Sequence, residues 1–172
     1  TLITSSAASD VYKRQTVLNT LDSNTTGAVN AATVTTLTGT AAAANTAYAS
    51  SGISGLGNEA VTLSDTSLAS SVLNTLDGNT SGAVNAATVI TLTGTAAAAN
   101  TAYASSGITG LGNEAVTLSD TSLATTVLNT LDGNTTGAIN AATVTTLTGT
   151  AATANTAYAS SGITGLGNEA VT

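Results

Sequence analysis

Apolar positions recur at helical spacing in a segment that is repeated along the chain. Leu68, Val72 and Leu76 lie four residues apart, which places their side chains on one face of a helix. Residues 65–67 (Asp, Thr, Ser) precede this face and are candidate N-caps, since their side-chain oxygens can accept from free backbone N–H groups. Gly78 follows the pattern and can take the left-handed conformation that ends a helix. The pattern therefore predicts a short helix that stops at Asp77–Gly78.

A second segment with helical spacing is rich in alanine. Ala41, Ala44 and Tyr48 repeat the spacing, and Gly52 follows as a candidate stop. Helices this short are marginal in isolation, so we expect both kinds to depend on packing against neighbours.

Two other segments favour extended backbone. Val61 and Leu63 alternate with polar residues, as in a strand with one buried face. Val34 and Leu37 lie three apart, which would also suit the start of a helix. Gly39 and the surrounding threonines argue against a continuous helix there, so we predict a strand.

These elements belong to a 55-residue repeat. The run VLNTLD begins at residues 17, 72 and 127, which defines units 17–71, 72–126 and an incomplete 127–172. The first two units differ at six positions. Each unit contains two half-units, exemplified by 27–51 and 52–81, and each half-unit consists of an extended piece followed by a helical piece. Near-identity between units argues against an enzyme, because a catalytic site needs residues that differ from one repeat to the next.

Strand–helix units in tandem predict parallel strands connected by helices. We therefore expect an α/β fold, a repetitive solenoid of short parallel strands and short helices. A threonine-rich parallel β-helix is the alternative. The pattern formed by Val61, Leu63, Thr66 and Leu68 is similar to the LxLxxNxL core of leucine-rich repeats, with Thr in place of the usual Asn. This resemblance covers eight residues per unit and supports the architecture.

The first 15 residues do not resemble the repeat. Residues 5–15 read SSAASDVYKRQ, which is what the adapter of a transposase-based sequencing library encodes when translated. We therefore expect residues 1–15 to be an adapter artefact and not native sequence.

Charge is sparse and almost entirely negative. Lys13 and Arg14 are the only basic residues, and both lie in the suspect segment. Without cations to neutralise phosphates, nucleic-acid binding and adhesion to anionic lipid have no electrostatic basis.

No apolar run approaches the roughly 20 residues that span a bilayer. The chain has no His or Cys, which excludes a Ser-His-Asp triad and a metal site built from those ligands.

Calcium is the cofactor that the residues come nearest to supporting. Asp77 and Asn79 supply oxygen donors in a predicted loop, and Asp132 and Asn134 repeat them. A calcium site needs six to eight oxygens, usually from several carboxylates, and this segment offers one carboxylate per unit. Turn-forming residues explain the segment without an ion, so no cofactor is the leading expectation.

The tyrosines recur once per unit. Tyr48, Tyr103 and Tyr158 are expected to stack as a structural ladder with the hydroxyls at its rim. An exposed ladder of this kind could bind glycans. The three isolated glutamates, Glu59, Glu114 and Glu169, are expected to be solvated.

The segments VLNTLDGNTTGA, TVTTLTGTAA and NTAYASSGI resemble tandem repeats of very long Ala/Thr/Ser-rich surface proteins of marine bacteria, cyanobacteria among them. The resemblance implies an extracellular or cell-surface localisation and a structural or adhesive function without catalysis. The partners that it implies are neighbouring repeats of the same chain. A calcium-stiffened secreted repeat and a carbohydrate-binding array are the alternatives.

Overall fold

The computed structural model describes residues 12–172, which form six helices and fifteen short strands. The helices are Gln15–Asn24 (α1), Ala41–Ala49 (α2), Ser70–Asn79 (α3), Ala96–Ala104 (α4), Thr125–Asn134 (α5) and Ala151–Ala159 (α6). Two kinds alternate. Helices α1, α3 and α5 contain VLNTLD, and α2, α4 and α6 are rich in alanine.

The strands are two to four residues long. They are Tyr12–Arg14 (β1), Val29–Asn30 (β2), Thr36–Gly39 (β3), Ile53–Ser54 (β4), Ala60–Leu63 (β5), Ser67–Ala69 (β6), Val84–Asn85 (β7), Thr91–Gly94 (β8), Ile108–Thr109 (β9), Ala115–Leu118 (β10), Ser122–Ala124 (β11), Ile139–Asn140 (β12), Thr146–Thr148 (β13), Ile163–Thr164 (β14) and Ala170–Val171 (β15).

Parallel pairing joins these strands into four sheets. The strand orders are β1-β3-β5-β7-β9, β6-β8-β10-β12-β14, β11-β13-β15 and β2-β4. Partners lie 24 or 23 residues apart: Leu37 is opposite Val61, and Val61 is opposite Val84. Each strand therefore pairs with the strand one helix further along the chain.

Helical backbone limits one end of each sheet. The residues 24 positions after β9 are 132–133, which lie inside α5. The residues 24 positions before β6 are 43–45, which lie inside α2. A sheet therefore ends where the next step of the same register falls on helical backbone.

The repeat divides into unequal segments, each of which we define as ending with a helix. Short segments (25–49, 80–104 and 135–159) contain two strands and an Ala-rich helix, and long segments (50–79 and 105–134) contain three strands and a VLNTLD helix. Each helix packs against the helix before it and the helix after it. The expected α/β class is confirmed, with parallel strands in several sheets.

The core lies between the sheets and the helices. Helix α2 buries only alanines, Ala41, Ala44 and Ala47. Helix α3 buries Leu73 and Leu76 along its length. Because the two kinds alternate, each leucine-bearing helix packs beside Ala-rich helices.

The helical face predicted from Leu68, Val72 and Leu76 is wrong at its start. Leu68 lies in β6, opposite Leu92 of the next sheet position. Helix α3 begins two residues later, and its fully buried leucines are Leu73 and Leu76, whereas Val72 is only partly buried. Strand pairing with a distant segment therefore overrides the local spacing.

The predicted helix ends are partly wrong. Gly78 lies within α3, which continues to Asn79, and α3 has Ala69 as its N-cap with no side-chain cap hydrogen bond. Thr40 does cap α2, since its side chain accepts from the backbone N–H of Ala43. A threonine therefore caps the helix of the short segment, whereas none of the candidate caps Asp65, Thr66 and Ser67 caps α3.

Both predicted strands are present. Val61 and Leu63 are buried and Ala60 and Thr62 are exposed in β5, as alternation requires. The stretch around Leu37 is a strand and not the start of a helix. The half-units differ more than expected, because the long segment contains the additional strand β6 between β5 and its helix.

The expected artefact lies mostly outside the described residues, since 1–11 are not described. Residues 12–14 form β1, which pairs with β3, and Gln15 begins α1. That residues 1–15 are not native stays a prediction.

Candidate functional site

Glu59 and Glu114 lie at the centres of buried polar clusters. Glu59 is fully buried. Its Oε2 atom accepts from the Tyr48 hydroxyl at 3.0 Å and from the backbone N–H of Gly57 at 2.8 Å. The Thr80 hydroxyl donates to the backbone carbonyl of Glu59 at 2.7 Å. The cluster therefore connects the end of α2, the loop before β5 and the segment after α3.

The same cluster recurs one unit later, on Glu114. The Tyr103 hydroxyl donates to Oε2 at 3.0 Å, the Gly112 N–H donates at 2.8 Å, and Thr135 donates to the Glu114 carbonyl at 2.7 Å. In both clusters the other carboxylate oxygen, Oε1, is buried without a hydrogen-bond partner among the described residues. The expectation that these glutamates are solvated is wrong for Glu59 and Glu114.

Burial raises the pKa of the Tyr48 and Tyr103 hydroxyls well above its usual value. The neighbouring Thr80 and Thr135 hydroxyls act in the opposite direction, and the adjacent glutamates add to the rise in pKa. Both tyrosines therefore stay neutral at physiological pH and act as hydrogen-bond donors to a buried carboxyl group.

The third cluster is open on one side. Tyr158 donates to Glu169 at 2.9 Å, but the Tyr158 side chain is exposed. Partial burial raises the pKa of Glu169, and hydrogen bonds from the Gly167 N–H and the Tyr158 hydroxyl outweigh this effect and lower it overall. Among the described residues, no threonine donates to the backbone carbonyl of Glu169 as Thr80 and Thr135 do to those of Glu59 and Glu114.

The tyrosines do not lie on neighbouring helices. Tyr48 is on α2 and Tyr103 is on α4, and α3 packs against both of these helices. Their hydroxyls are used within the clusters, as described above. Glycan binding by Tyr48, Tyr103 and Tyr158 stays a prediction.

The predicted calcium ligands lie at the ends of helices, so the loop expected there is wrong. Asp77 accepts from the Ser105 hydroxyl at 2.7 Å, and Asp132 accepts from Ser160 at 2.8 Å. Asn79 donates to the Asn45 side chain at 3.0 Å, and Asn134 repeats this bond to Asn100. Calcium binding stays a prediction, and within residues 12–172 no three acidic side chains cluster closely enough to hold a metal ion.

A series of asparagines connects the helices, which sequence reasoning missed. Each donates from its side-chain Nδ2 to a backbone carbonyl of the next helix, at 2.9–3.1 Å. We call this series the asparagine ladder; it consists of Asn19 to Ala43, Asn45 to Val72, Asn74 to Ala98, Asn100 to Val127 and Asn129 to Thr153. An asparagine at the fifth position of every helix, in both helix kinds, is the signal that could have revealed it.

Two aspartates cap helices that belong to an earlier segment. Asp65 accepts from the backbone N–H of Ala41, and Asp120 accepts from that of Ala96, both at 2.8 Å and across 24 residues. The negative charge at a helix N-terminus is favourable. The polar side chains described here thus serve mainly to connect one segment to the next.

No helix within residues 12–172 combines the length and the hydropathy needed to cross a bilayer. The chain matches no known protein family, and no curated protein or solved structure is significantly similar to it.

Proposed function

We propose that the repeats form a continuous α/β solenoid that serves as a structural or adhesive segment of a large secreted or cell-surface bacterial protein, without catalysis. In this proposal the chain sets a distance or presents another part of the protein. Its partners are neighbouring repeats.

The observation that carries this proposal is the repetition of inter-segment hydrogen bonds along the chain. The asparagine ladder, the Asp65 and Asp120 caps and the Tyr–Glu clusters all connect residues of successive segments. A chain in which every segment bonds to the next in the same way can be lengthened without a change of fold, which is what a spacer requires.

Composition supports an exposed location. After residue 14 the chain carries acidic side chains but no Lys or Arg. Such a surface stays soluble and offers trypsin-like proteases no cleavage site. The likeness to repeats of bacterial surface proteins points the same way.

Small-angle X-ray scattering of this chain and of a version with an additional copy of residues 72–126 tests the proposal. We expect the maximum dimension to grow by about 10–20 Å, since two segments are added at strand spacings near 4.8 Å and helix spacings of 8–10 Å. The cross-sectional radius should not change.

A control in which 55 flexible Gly/Ser residues are added instead would lengthen the particle but give the scattering of a disordered tail. If the extra repeat increased the radius of gyration only as about the 0.38 power of length, as in a compact domain, the solenoid would be refuted.

A further inference from the structure

Two Asp–Gly pairs lie in the last turns of VLNTLD helices. Asp77 and Gly78 come directly before the final residue of α3, and Asp132 and Gly133 come directly before the final residue of α5. Every other Asp in the chain is followed by Val, Ser or Thr, and no Asn is followed by Gly. Because Gly has no Cβ, its backbone nitrogen is unshielded and its backbone rotates easily. These two pairs are therefore the places where the backbone can most readily attack an aspartate side chain.

The reaction open to such a pair is a spontaneous cyclisation. The backbone nitrogen of Gly78 attacks Cγ of Asp77 and forms a C–N bond. One carboxylate oxygen leaves as water, with the amide proton and one proton from solvent. Water then opens this succinimide at either carbonyl: attack at Cγ restores Asp, and attack at the main-chain carbonyl leaves isoaspartate. The sequence of steps needs only water and consumes no oxidant or cofactor.

The folded structure holds the reacting atoms apart. Ring closure requires rotation of the Asp77 backbone out of the helical conformation. The Asp77 carboxylate is also held by the next segment, because Oδ2 accepts from the Ser105 hydroxyl at 2.7 Å and a Cβ on Gly107 would collide with Oδ1. Asp132 accepts from Ser160 in the same way at 2.8 Å. The reaction therefore needs an opening of the last helical turn that also breaks this contact.

The last turns of α3 and α5 are weakly tied at their ends. Gly78 and Gly133 are exposed, and no atom lies within 4 Å of the place where a Cβ would stand on either. Helix α2 ends with the Ser50 N–H donating to the Ala47 carbonyl, whereas among the described residues the C-caps of α3 and α5 donate no such bond. Helix ends with few backbone bonds are the parts of a fold that open most often.

We propose that Asp77 and Asp132 are sites of isoaspartate formation, at which the hydroxyls of Ser105 and Ser160 slow the reaction. Isomerisation is far slower than the opening and closing of a helix end. Its rate therefore follows the equilibrium population of the open turn, as cleavage of a transiently opened segment does when closing is fast.

Isoaspartate adds one methylene group to the main chain directly before residues that join two segments. Asn79 donates to the Asn45 side chain, and the Thr80 hydroxyl donates to the Glu59 carbonyl. A displaced main chain breaks both bonds and moves the carboxylate away from Ser105. Modification in one unit therefore weakens the junction around α3 and leaves the other unit unchanged.

Prolonged incubation of the full chain at neutral pH, folded and in guanidinium chloride, tests the proposal. Digestion with an endoproteinase that cleaves before Asp leaves isoaspartate uncut, and electron-transfer fragmentation of the uncut peptide locates it. We expect isoaspartate at Asp77 and Asp132, with less at Asp22, whose neighbour in the equivalent place is Ser23. The unfolded chain should react at least about tenfold faster than the folded one, since the open turn is a minor population.

Two variants separate the roles of the glycine and of the hydroxyl. Ser105→Ala should raise the rate at Asp77 about fivefold, the equivalent of one lost hydrogen bond, with Asp132 as the internal control. Gly78→Ser reproduces the first unit and should remove most of the isoaspartate at Asp77 while Asp132 reacts as before. Circular dichroism of both variants checks that the wild-type helix content is retained.

Three results would overturn the proposal. The first is a folded chain that forms no isoaspartate while the unfolded chain does, since the turn would then stay closed. The second is equal isoaspartate at Asp22 and Asp77, which would show that Gly78 does not direct the reaction. The third is an unchanged rate at Asp77 in Ser105→Ala, which would show that the hydroxyl does not hold the carboxylate.

Discussion

Gln15 is buried without a hydrogen-bond partner for either atom of its amide among the described residues. The equivalent positions hold Ser70 and Thr125, whose hydroxyls donate to the carbonyls of Thr93 and Thr148 at 3.3 Å. A buried amide without partners costs about 1–3 kcal/mol. The place that Gln15 occupies thus suits a small hydroxyl side chain, as in Ser70 and Thr125.

Replacing Gln15 with Ser should therefore stabilise the protein. We expect the free energy of unfolding to increase by about 1 kcal/mol, as the unpaired amide is removed. Urea denaturation followed by circular dichroism measures it. The reciprocal change, Ser70→Gln, should destabilise by a similar amount or more, and a Gln15→Ser variant less stable than wild type would contradict the reading of this site.

The Tyr103–Glu114 pair makes stability dependent on alkaline pH. The pKa of Tyr103 is raised in the folded state by burial, so its contribution is complete below the unfolded pKa of about 10 and is lost as pH rises towards the folded value. Thermal unfolding between pH 8 and 11.5 should show the decline beginning near pH 10. Tyr103→Phe should make the decline shallower, and equal slopes for wild type and Tyr103→Phe would contradict this.

At the scale of elements, the Ala-rich helices α2 and α4 are each capped from two sources. Thr95, directly before α4, caps this helix by accepting from the backbone N–H of Ala98. Asp120 caps the same helix by accepting from the backbone N–H of Ala96, which lies 24 residues earlier in the chain. The second cap couples the start of one helix to the formation of the next segment.

Removing the distant cap should cost more than removing the local one. We expect Asp120→Ala to lower the free energy of unfolding by about 1.5–3 kcal/mol, because a charge-assisted hydrogen bond is lost and the Ala96 N–H is left without its partner. Thr95→Ala should cost about 1 kcal/mol. Asp120→Asn keeps an acceptor, so its loss of unfolding free energy should lie between those of Thr95→Ala and Asp120→Ala. Chemical denaturation of the three variants tests this order.

Local patterns predict the elements of the short segment better than those of the long one. Ala41, Ala44 and Gly39 define a strand and a helix by spacing and propensity, and the structure has both. The prediction for Leu68 was wrong because a single leucine is consistent with both a helix and a strand. Only its pairing with Leu92 shows that it belongs to a strand.

The site was harder to predict than the fold. A lone Glu59 is indistinguishable from a solvated carboxylate in the sequence, because its burial depends on Tyr48, Gly57 and Thr80, which come together only after the segments pack. The regular recurrence of one Tyr and one Glu eleven residues apart was visible, but spacing alone does not reveal a bond across a turn and a strand.

At the scale of the whole molecule, two helix kinds must alternate. Leucine-bearing helices lie against alanine-bearing ones, and the asparagine ladder passes between them. We therefore expect the fold to tolerate removal of whole units but not of single segments.

Deleting residues 80–134 joins Asn79 to Thr135 and recreates the native junction that Asn134 makes with Thr135. We expect this shorter chain to unfold cooperatively in urea with a smaller m-value. Deleting residues 80–104 instead would place α3 beside α5, two leucine faces together, and should destabilise by about 3 kcal/mol or more through overpacking and lost hydrogen bonds. Equal midpoints for both deletions would contradict the alternation.

The interruption of each sheet by helices also bears on aggregation. Short, nearly uncharged strands of Val, Thr and Ala in parallel register are the material of cross-β fibrils, in which one sheet grows without limit. Here the pairing of residues 24 apart does not match the 55-residue unit, so successive steps of the register reach a helix. No sheet formed by residues 12–172 therefore exceeds five strands before it meets a helix or the end of that range. In the proposed solenoid, additional units would therefore leave the longest parallel sheet at the same size.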